Sequence, residues 1–386
     1  MSAIALPRLM RIGAGALDEL PLALAQLGLA RPAIVTDRFL AGNGALDRLR
    51  AVLAAAGIPV RAFTDTIPDP TSAVVDMAAG FIRDGDHDCV IGFGGGSPID
   101  TAKAAALLSI RGGTMRALKA PHQEDAPGLP IVAIPTTAGT GSEATRFTIV
   151  TDEATEEKML CVGLAYLPSI AIVDYELTLG KPRRLTADTG IDALTHAIEA
   201  YVSRRASSFA DGMALAAMRS IWANLRTACD DPGNRAAREG MMLGSLQAGI
   251  AFSNASVALV HGMSRPIGAH FHVAHGLSNA MLLPVVTEWS APAALPRYAA
   301  CAVAMGLAEA GEGDEAAVGR LVEALHRINA DLDVPTPRAH GLDAVKWDGL
   351  LPLMAEQALA SGSPANNPRI PDVRDIQDLY RRAWGV

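Results

Sequence analysis

Short apolar runs alternate with amphipathic stretches through the N-terminal part of the chain. The runs end at polar or turn-forming residues, as strands buried on both faces do, and they lie at 33–36, 59–63, 89–93, 131–134 and 170–173. Apolar residues recur at helical spacing in the stretches between them, at 45–56, 71–83 and 98–108. This alternation predicts an α/β fold with a Rossmann-like parallel sheet covered by helices on both faces.

The pattern changes near the Gly/Pro-containing segment 178–182. Beyond it clear strand runs stop, and helical periodicity dominates in 188–202, 207–228, 234–252 and 315–329. A chain of 386 residues is long enough for two domains. The sequence therefore predicts an α/β domain over 1–180 and an all-helical domain over 181–386.

Composition and charge exclude several classes of partner. Half of the residues are apolar, the net charge is −8, and no basic cluster exceeds three residues, which argues against nucleic acid and anionic membranes as partners. The four cysteines form no CxxC pair and indicate a reducing compartment. With no signal peptide or membrane span in the sequence, we expect a cytoplasmic protein.

A glycine loop joins one predicted strand to one predicted helix. Gly94, Gly95, Gly96 and Ser97 follow the run 89–93 and precede Pro98, which suits a first helical turn. Glycines let the backbone approach an anion, and a helix N-terminus presents unpaired N–H groups, so the loop suits a pyrophosphate. An ordinary tight turn is the alternative, because the usual G-x-G-x-x-G fingerprint is absent.

Polar residues also follow two other predicted strands. Thr136, Thr137 and Thr140 come after the run 131–134, and Asp37 comes after 33–36. Ligands of open α/β sheets bind at the carboxyl ends of strands, where a carboxylate can accept both ribose hydroxyls of an adenosine and repel a 2′-phosphate. The alternatives are a solvated turn for the threonines and a helix cap for Asp37.

A candidate metal site lies in the helical half. Asp192 and His196 are four residues apart, so a helix places both on one face. Four of the nine histidines fall between 261 and 275, and His261 and His275 could complete an Asp/His₃ set suited to Fe²⁺ or Zn²⁺. Taken alone, an Asp/His pair at this spacing is more often a helix-surface or capping pair than a metal site.

These motifs together resemble the iron-containing (group III) alcohol dehydrogenases. The resemblance rests on Gly94–Asp100 (GGGSPID), Pro135–Glu143 (PTTAGTGSE), Asp192-xxx-His196 and His261…His275-Gly, and it spans nearly the whole chain. It implies the two-domain architecture shared with dehydroquinate synthase and a catalytic metal bound by Asp192, His196, His261 and His275. It also implies a dinucleotide held by the 94–97 loop with Asp100, by Thr136, Thr137 and Thr140, and by a ribose contact from Lys158.

One position departs from many members of that family. Position 265 is Arg, where many members carry a second His linked to proton relay, and His270 or His272 could take over that role. For both histidines we favour a surface or structural position. Arg265 is itself a candidate site residue that could clamp a substrate carboxylate, although pairing with a nearby acidic residue or lying on the surface is the alternative.

The sequence thus predicts an NAD-dependent, divalent-metal-dependent alcohol dehydrogenase or aldehyde reductase. We expect NAD rather than NADP, Fe²⁺ with Zn²⁺ as the alternative, and a small alcohol or aldehyde as substrate. By analogy we also expect a homodimer or larger homo-oligomer. The competing functions are a metal-free reductase of the maleylacetate type, a lyase like dehydroquinate synthase, and a non-catalytic binding protein.

Overall fold

A six-stranded parallel sheet organises the first of two compact units. The computed structural model describes residues 3–155 and 157–385, and the described chain divides into a unit from Ala3 to Gly180 and a unit that starts at Lys181. The sheet has the order β1-β8-β5-β4-β2-β3, with bounds β1 (Leu9–Ile12), β2 (Pro32–Asp37), β3 (Arg61–Thr66), β4 (Cys89–Gly94), β5 (Ile131–Pro135) and β8 (Ile170–Val173). The helices of this unit are α1 (Leu20–Gln26), α2 (Arg38–Gly42), α3 (Ala45–Ala55), α4 (Ser72–Arg83) and α5 (Gly96–Arg111).

Each face of the sheet has its own hydrophobic core. In β4, Ile91 and Phe93 pack with α1 and α3, whereas Val90 packs with α4 and α5 on the opposite face. This follows from the two-residue period of a strand, which sends alternate side chains to opposite faces. The predicted parallel sheet with two covered faces is confirmed.

Strand β1 and an antiparallel hairpin were not predicted. The hairpin pairs β6 (Phe147–Asp152) with β7 (Glu157–Val162), and β1 pairs with β8 at the sheet edge. None of these strands is a continuous buried run, because β1 is half-buried and β6 and β7 bury only alternate residues. Their partners are fixed by tertiary pairing, which the local pattern does not show.

The second unit contains no strand among its described residues. Its helices are α6 (Arg183–Val202), α7 (Ser208–Asp230), α8 (Arg235–Ala255), α9 (Leu259–Phe271), α10 (His275–Ser290), α11 (Leu295–Ala304), α12 (Asp314–Asp331), α13 (Ala344–Ala360) and α14 (Val373–Trp384). The sequence predicted α6, α7, α8 and α12 and missed the other five. Three of those missed carry an internal proline, namely Pro266, Pro284 and Pro352, which reads locally as a helix break.

None of the helices described in 3–155 and 157–385 is by itself long and apolar enough to cross a membrane. The pair α8 and α9, bent by 103°, passes that test only when the two helices are taken together, by length and composition.

Candidate metal centre and cofactor loops

Helix α6 carries two of the predicted metal ligands in a buried position. Asp192 is 2% exposed and His196 is 5% exposed. A Cβ at Gly190 would lie 2.3 Å from Leu225 Cδ1, so α6 and α7 approach closely because residue 190 is glycine. With α6 surrounded in this way, its polar side chains must find partners inside the protein.

Helices α9 and α10 bring the other two ligands to the same point. His261 is buried near the start of α9, and His275 is the first residue of α10. A Cβ at Gly276 would lie 2.5 Å from the carbonyl oxygen of Asp188, so α10 starts against the backbone of α6. One ligand atom from each of Asp192, His196, His261 and His275 lies within 4.8 Å of the other three.

The donor set and its spacing fit a divalent ion. His261 Nε2 and His275 Nε2 lie 3.5 and 3.9 Å from Asp192 Oδ1. Ligands about 2.0–2.2 Å from a tetrahedral ion lie roughly 3.3–3.6 Å from one another, so small side-chain shifts bring this set to that spacing. The rings of His196 and Phe252 stack with centroids 4.2 Å apart, which orients His196 toward the other ligands.

The charges of the site call for a cation. Burial opposes ionisation of Asp192, yet His196 and His275 hold its pKa well below the usual value. Burial likewise disfavours the charged form of His261, but Glu199 and Asp192 outweigh burial and raise its pKa to about 9. Two carboxyl groups next to His261 thus favour a positive charge at this point, and a divalent ion would supply it.

Glu199 supports the site and was not assigned a role from the sequence. Its Oε2 lies 2.6 Å from His261 Nδ1, and its carboxylate also accepts the backbone N–H groups of Ala258 and Val260 at 2.9 and 2.6 Å. A hydrogen bond at Nδ1 fixes the ring and turns Nε2 toward the other ligands. Its position three residues after His196, on the same helix face, was the available signal.

Asn279 is a second residue of the site that the sequence did not reveal. Its Nδ2 donates to Asp192 Oδ1 at 2.6 Å and lies 3.2 Å from Nε2 of both His261 and His275. The side-chain amide therefore stands where the ligand atoms converge, and an ion would displace it from that centre. Asn279 is four residues after His275 on α10, and that helical spacing was the only local signal.

The predicted phosphate loop has the conformation that its glycines allow. Gly94 has φ 151°, and a Cβ there would lie 2.5 Å from Pro98 Cγ, so this turn requires glycine. Gly95 precedes the first turn of α5, which begins at Gly96, and the segment from Gly95 to Ser97 is half-buried. The unpaired N–H groups of that turn are thus available to an anion.

The threonine loop contacts the glycine loop. A Cβ on Gly96 would lie 3.0 Å from Thr140 Cγ2, and one on Gly95 would lie 3.5 Å from Thr137 Oγ1. Thr136 is buried and its N–H donates to the Gly94 carbonyl at 2.8 Å. The two loops meet because β4 and β5 are parallel neighbours, and they form one surface at the carboxyl edge of the sheet.

Asp37 lies at the same edge, beside the point where the strand order reverses. Strand β2 lies between β3 and β4, and ligands of open α/β sheets bind at such a switch point. One carboxylate oxygen of Asp37 accepts the N–H of Leu40 at 2.8 Å and caps α2. Asp37 therefore does cap a helix, and a contact with a ribose would have to use its other carboxylate oxygen.

Asp100 and Lys158 have protein partners. The Asp100 carboxylate accepts the Ser142 hydroxyl at 2.8 Å and the Ile149 N–H at 3.0 Å, so both of its oxygens fasten the segment that follows the threonine loop. These contacts give Asp100 a positioning role, and its predicted cofactor contact stays a prediction. Lys158 lies on β7, and its Nζ pairs at 2.8 Å with Asp69 in the loop after β3, at the same edge of the sheet.

A buried lysine also anchors the segment that follows the threonine loop. Lys103 on α5 donates to the Thr145 carbonyl at 2.9 Å and to the Phe147 carbonyl at 2.8 Å. Burial lowers the pKa of Lys103 to about 8, against the opposing effect of Asp100. Asp100 and Lys103, one turn apart on α5, thus fasten the segment that follows the threonine loop to the helix that begins at the glycine loop.

The structure separates the candidates for substrate and proton contacts. Arg265 lies on α9 one turn beyond His261, and Pro266 does not end that helix, which continues to Phe271. His270 pairs with Gln357 at 2.8 Å, and His272 is exposed at the left-handed end of α9, so neither belongs to the four-residue cluster. His270 thus has a side-chain partner and His272 lies at the surface, and the structural roles favoured for them stay predictions.

Comparisons with known proteins agree with this geometry. Residues 7–175 match the family model described as iron-containing alcohol dehydrogenase, and residues 186–384 match its C-terminal counterpart. The chain is 42% identical over 335 residues to a long-chain-alcohol dehydrogenase of Geobacillus thermodenitrificans, covering 86% of this chain and 84% of that protein.

Solved structures show the same fold over the whole length. A 1,3-propanediol oxidoreductase has a TM-score of 0.94 at 36% identity, covering 99% of this chain and 100% of that one. A sulfoacetaldehyde reductase from Bifidobacterium kashiwanohense, solved in complex with NAD⁺, has a TM-score of 0.89 at 28% identity, covering 100% and 99%. The chain belongs to the iron-containing alcohol dehydrogenase family.

Proposed function

We propose that this oxidoreductase of alcohols and aldehydes transfers hydride between a small primary alcohol and NAD, with a divalent ion, Fe²⁺ in the first instance, bound by Asp192, His196, His261 and His275. The observation that carries the proposal is the convergence of four ligand atoms within 4.8 Å in a member of this family. In balanced form, the alcohol loses a hydride to NAD⁺ and a proton to solvent, which gives the aldehyde and NADH.

The residues of the proposed metal site have different roles. When bound, the ion would supply the Lewis acidity that lowers the pKa of an alcohol hydroxyl. Asp192 provides the negative ligand, and Glu199 holds His261 with its Nε2 directed at the cluster. Asp192, His196 and His261 are buried, and low exposure to water strengthens the charge interactions among them.

The cofactor residues lie on the sheet unit. When bound, NAD would supply the hydride acceptor at its nicotinamide ring. The N–H groups at the start of α5 would take the pyrophosphate, with Thr137 and Thr140 beside them. Support for NAD comes from the related sulfoacetaldehyde reductase, whose structure holds NAD⁺.

Cofactor choice is tested by Asp37→Ser. Serine also caps helices, so it keeps the contact that Asp37 makes with the Leu40 N–H while removing the charge. Without a carboxylate to repel a 2′-phosphate, the NADPH/NADH ratio of kcat/KM should rise roughly tenfold or more. Steady-state kinetics with both cofactors measure it. Asp47→Ser, at an exposed aspartate of α3, is the charge-matched control, and a wild-type enzyme that already prefers NADPH would contradict the assignment.

The ligand cluster argues against the metal-free reductase. Burying Asp192 among three histidines costs desolvation energy, and a bound cation would offset that cost. The lyase alternative lacks support, because the family and the named relatives are oxidoreductases. The relatives named above act on a long-chain alcohol, 1,3-propanediol and sulfoacetaldehyde, so the names leave the substrate open.

The function is tested by removing and restoring the ion. Chelated protein should lose NAD-dependent oxidation of short alcohols, diols and hydroxy acids, and Fe²⁺ should restore it, with Zn²⁺ and Mg²⁺ run in parallel. Chelated protein with unchanged activity would support a metal-free reductase instead. An oligomeric state and a cytoplasmic location remain predictions, and the four buried, free cysteines are compatible with a reducing compartment.

A further inference from the structure

Arg265 presents a cationic group beside the proposed metal centre. It lies four residues after His261 on α9, so the two side chains emerge on one helix face about 5–6 Å apart at Cβ. Its side chain is half-buried. Within residues 3–155 and 157–385 its guanidinium makes no hydrogen bond or ion pair. Its nitrogens are also not fully buried, because the buried polar atoms that lack a partner do not include them. The donors therefore face accessible space.

Arg238, a buried arginine of the same unit, shows by contrast how a guanidinium with a structural role is bound in this protein. Arg238 is 3% exposed and donates to Thr186 Oγ1 at 2.9 Å and to the carbonyls of Pro232 and Lys181 at 3.1 and 3.3 Å. Its donors are thus satisfied by protein acceptors, as buried polar groups usually are. Among the residues that the structure describes, Arg265 has no such set of acceptors.

Glu199 is the acidic group that acts electrostatically on Arg265, but its carboxylate already accepts other hydrogen bonds. It accepts from the N–H groups of Ala258 and Val260 and pairs with His261 Nδ1. Burial lowers the pKa of Arg265 to about 10, and Glu199 only partly offsets that effect. The guanidinium therefore remains charged at neutral pH, and its N–H donors do not bind Glu199.

We propose that Arg265 binds a carboxylate at the far end of the substrate, so that the preferred substrates are short ω-hydroxy acids and their semialdehydes. This rests on the proposed function, which places the reacting oxygen at the four-residue cluster. The planar guanidinium donates two parallel hydrogen bonds to a carboxylate. Its position one turn along α9 means that a short carbon chain spans the two points. Arg265 forms and breaks no covalent bond, and the substrate's hydride and proton go to NAD⁺ and solvent.

The kinetic test compares two alcohols that differ in charge and match in length. Metal-loaded wild type should show a higher kcat/KM for 4-hydroxybutyrate than for 1-butanol. Arg265→Gln should lower the acid-to-alcohol ratio of kcat/KM roughly ten- to a hundredfold, mainly through KM of the acid, because binding of the remote carboxylate is lost. Arg265→Lys, which keeps the charge without the fork, should give an intermediate ratio. Arg374→Gln, at an exposed arginine of α14, removes the same charge and should leave the ratio unchanged.

Three kinetic outcomes would overturn the proposal. They are an unchanged acid-to-alcohol ratio in Arg265→Gln, an equal loss for both alcohols, and a rise in KM for NAD⁺ as the main effect, which would assign Arg265 to the cofactor. Metal content and Tm of each variant separate loss of the clamp from loss of the fold. If Arg265→Gln does not fold, Arg265→Lys carries the comparison.

A binding measurement keeps the proposal separate from the proposed function. Calorimetry of 4-hydroxybutyrate with metal-loaded protein, without NAD, should show saturable binding that weakens roughly ten- to a hundredfold in Arg265→Gln. No saturable binding by wild type, or equal binding by both proteins, would overturn the clamp. Weakened binding of inorganic phosphate alone would also overturn it. If neither alcohol is oxidised while the acid still binds through Arg265, the proposed function fails and the carboxylate site stands.

Discussion

Replacing His275 by alanine is expected to remove the divalent ion and alcohol oxidation together. His275 is the first residue of α10, and its side chain is 34% exposed, so truncation leaves little cavity and the helix still forms. The remaining Asp192, His196 and His261 offer one ligand fewer to the ion. Because the ion is proposed to supply several kcal/mol of transition-state stabilisation, kcat/KM should fall roughly a hundred- to ten-thousandfold.

Metal analysis of the purified protein, beside NAD-coupled rates, checks this result. NADH binding should persist, since the glycine and threonine loops lie on the sheet unit, which does not contain residue 275. His272→Ala is the matched control, because it removes an exposed imidazole three residues away without touching the cluster. A His275→Ala protein that retains a full complement of ion would exclude His275 as a ligand.

The sequence predicted the metal ligands but not all of the helices that hold them. Asp192 and His196 share a helix, so their spacing alone predicts one face. His261 and His275 lie on α9 and α10, which contain Pro266 and Pro284 and were not predicted as helices. The clustering of histidines between 261 and 275 offered these two as ligands, the family resemblance assigned them to the pair on α6, and the structure brings the four ligand atoms together.

Local sequence patterns could not predict contacts between polar side chains that lie far apart along the chain. Asp100 is fastened to Ser142 and Ile149, and Lys158 pairs with Asp69. These contacts join elements that come together only in the folded protein, so the periodicity of the sequence does not predict them. Asp37 differs, because its partner, the Leu40 N–H, is only three residues away along the chain. A helix cap was accordingly one of the alternatives that the sequence offered.

Glu199→Gln is expected to weaken both the fold of the helical unit and its affinity for the ion. The carboxylate accepts three hydrogen bonds, from Ala258 N–H, Val260 N–H and His261 Nδ1. A carboxamide keeps the shape but has a single acceptor oxygen, and its NH₂ group would face at least one of these donors. Losing charge-assisted bonds at a buried carboxylate should cost about 3 kcal/mol of unfolding free energy.

The same substitution releases the His261 ring from the partner that orients it. Removal of a residue that orients a metal-bound histidine typically lowers metal affinity ten- to a hundredfold. Competition with a chelator of known affinity measures that loss, and denaturant unfolding of the metal-free protein measures the stability term separately. Glu288→Gln, at an exposed glutamate of α10 paired with Arg382, is the control for removing one carboxylate charge. Wild-type metal affinity in Glu199→Gln would show that the helices alone hold His261 in place, because the ring would then keep its direction without the carboxylate.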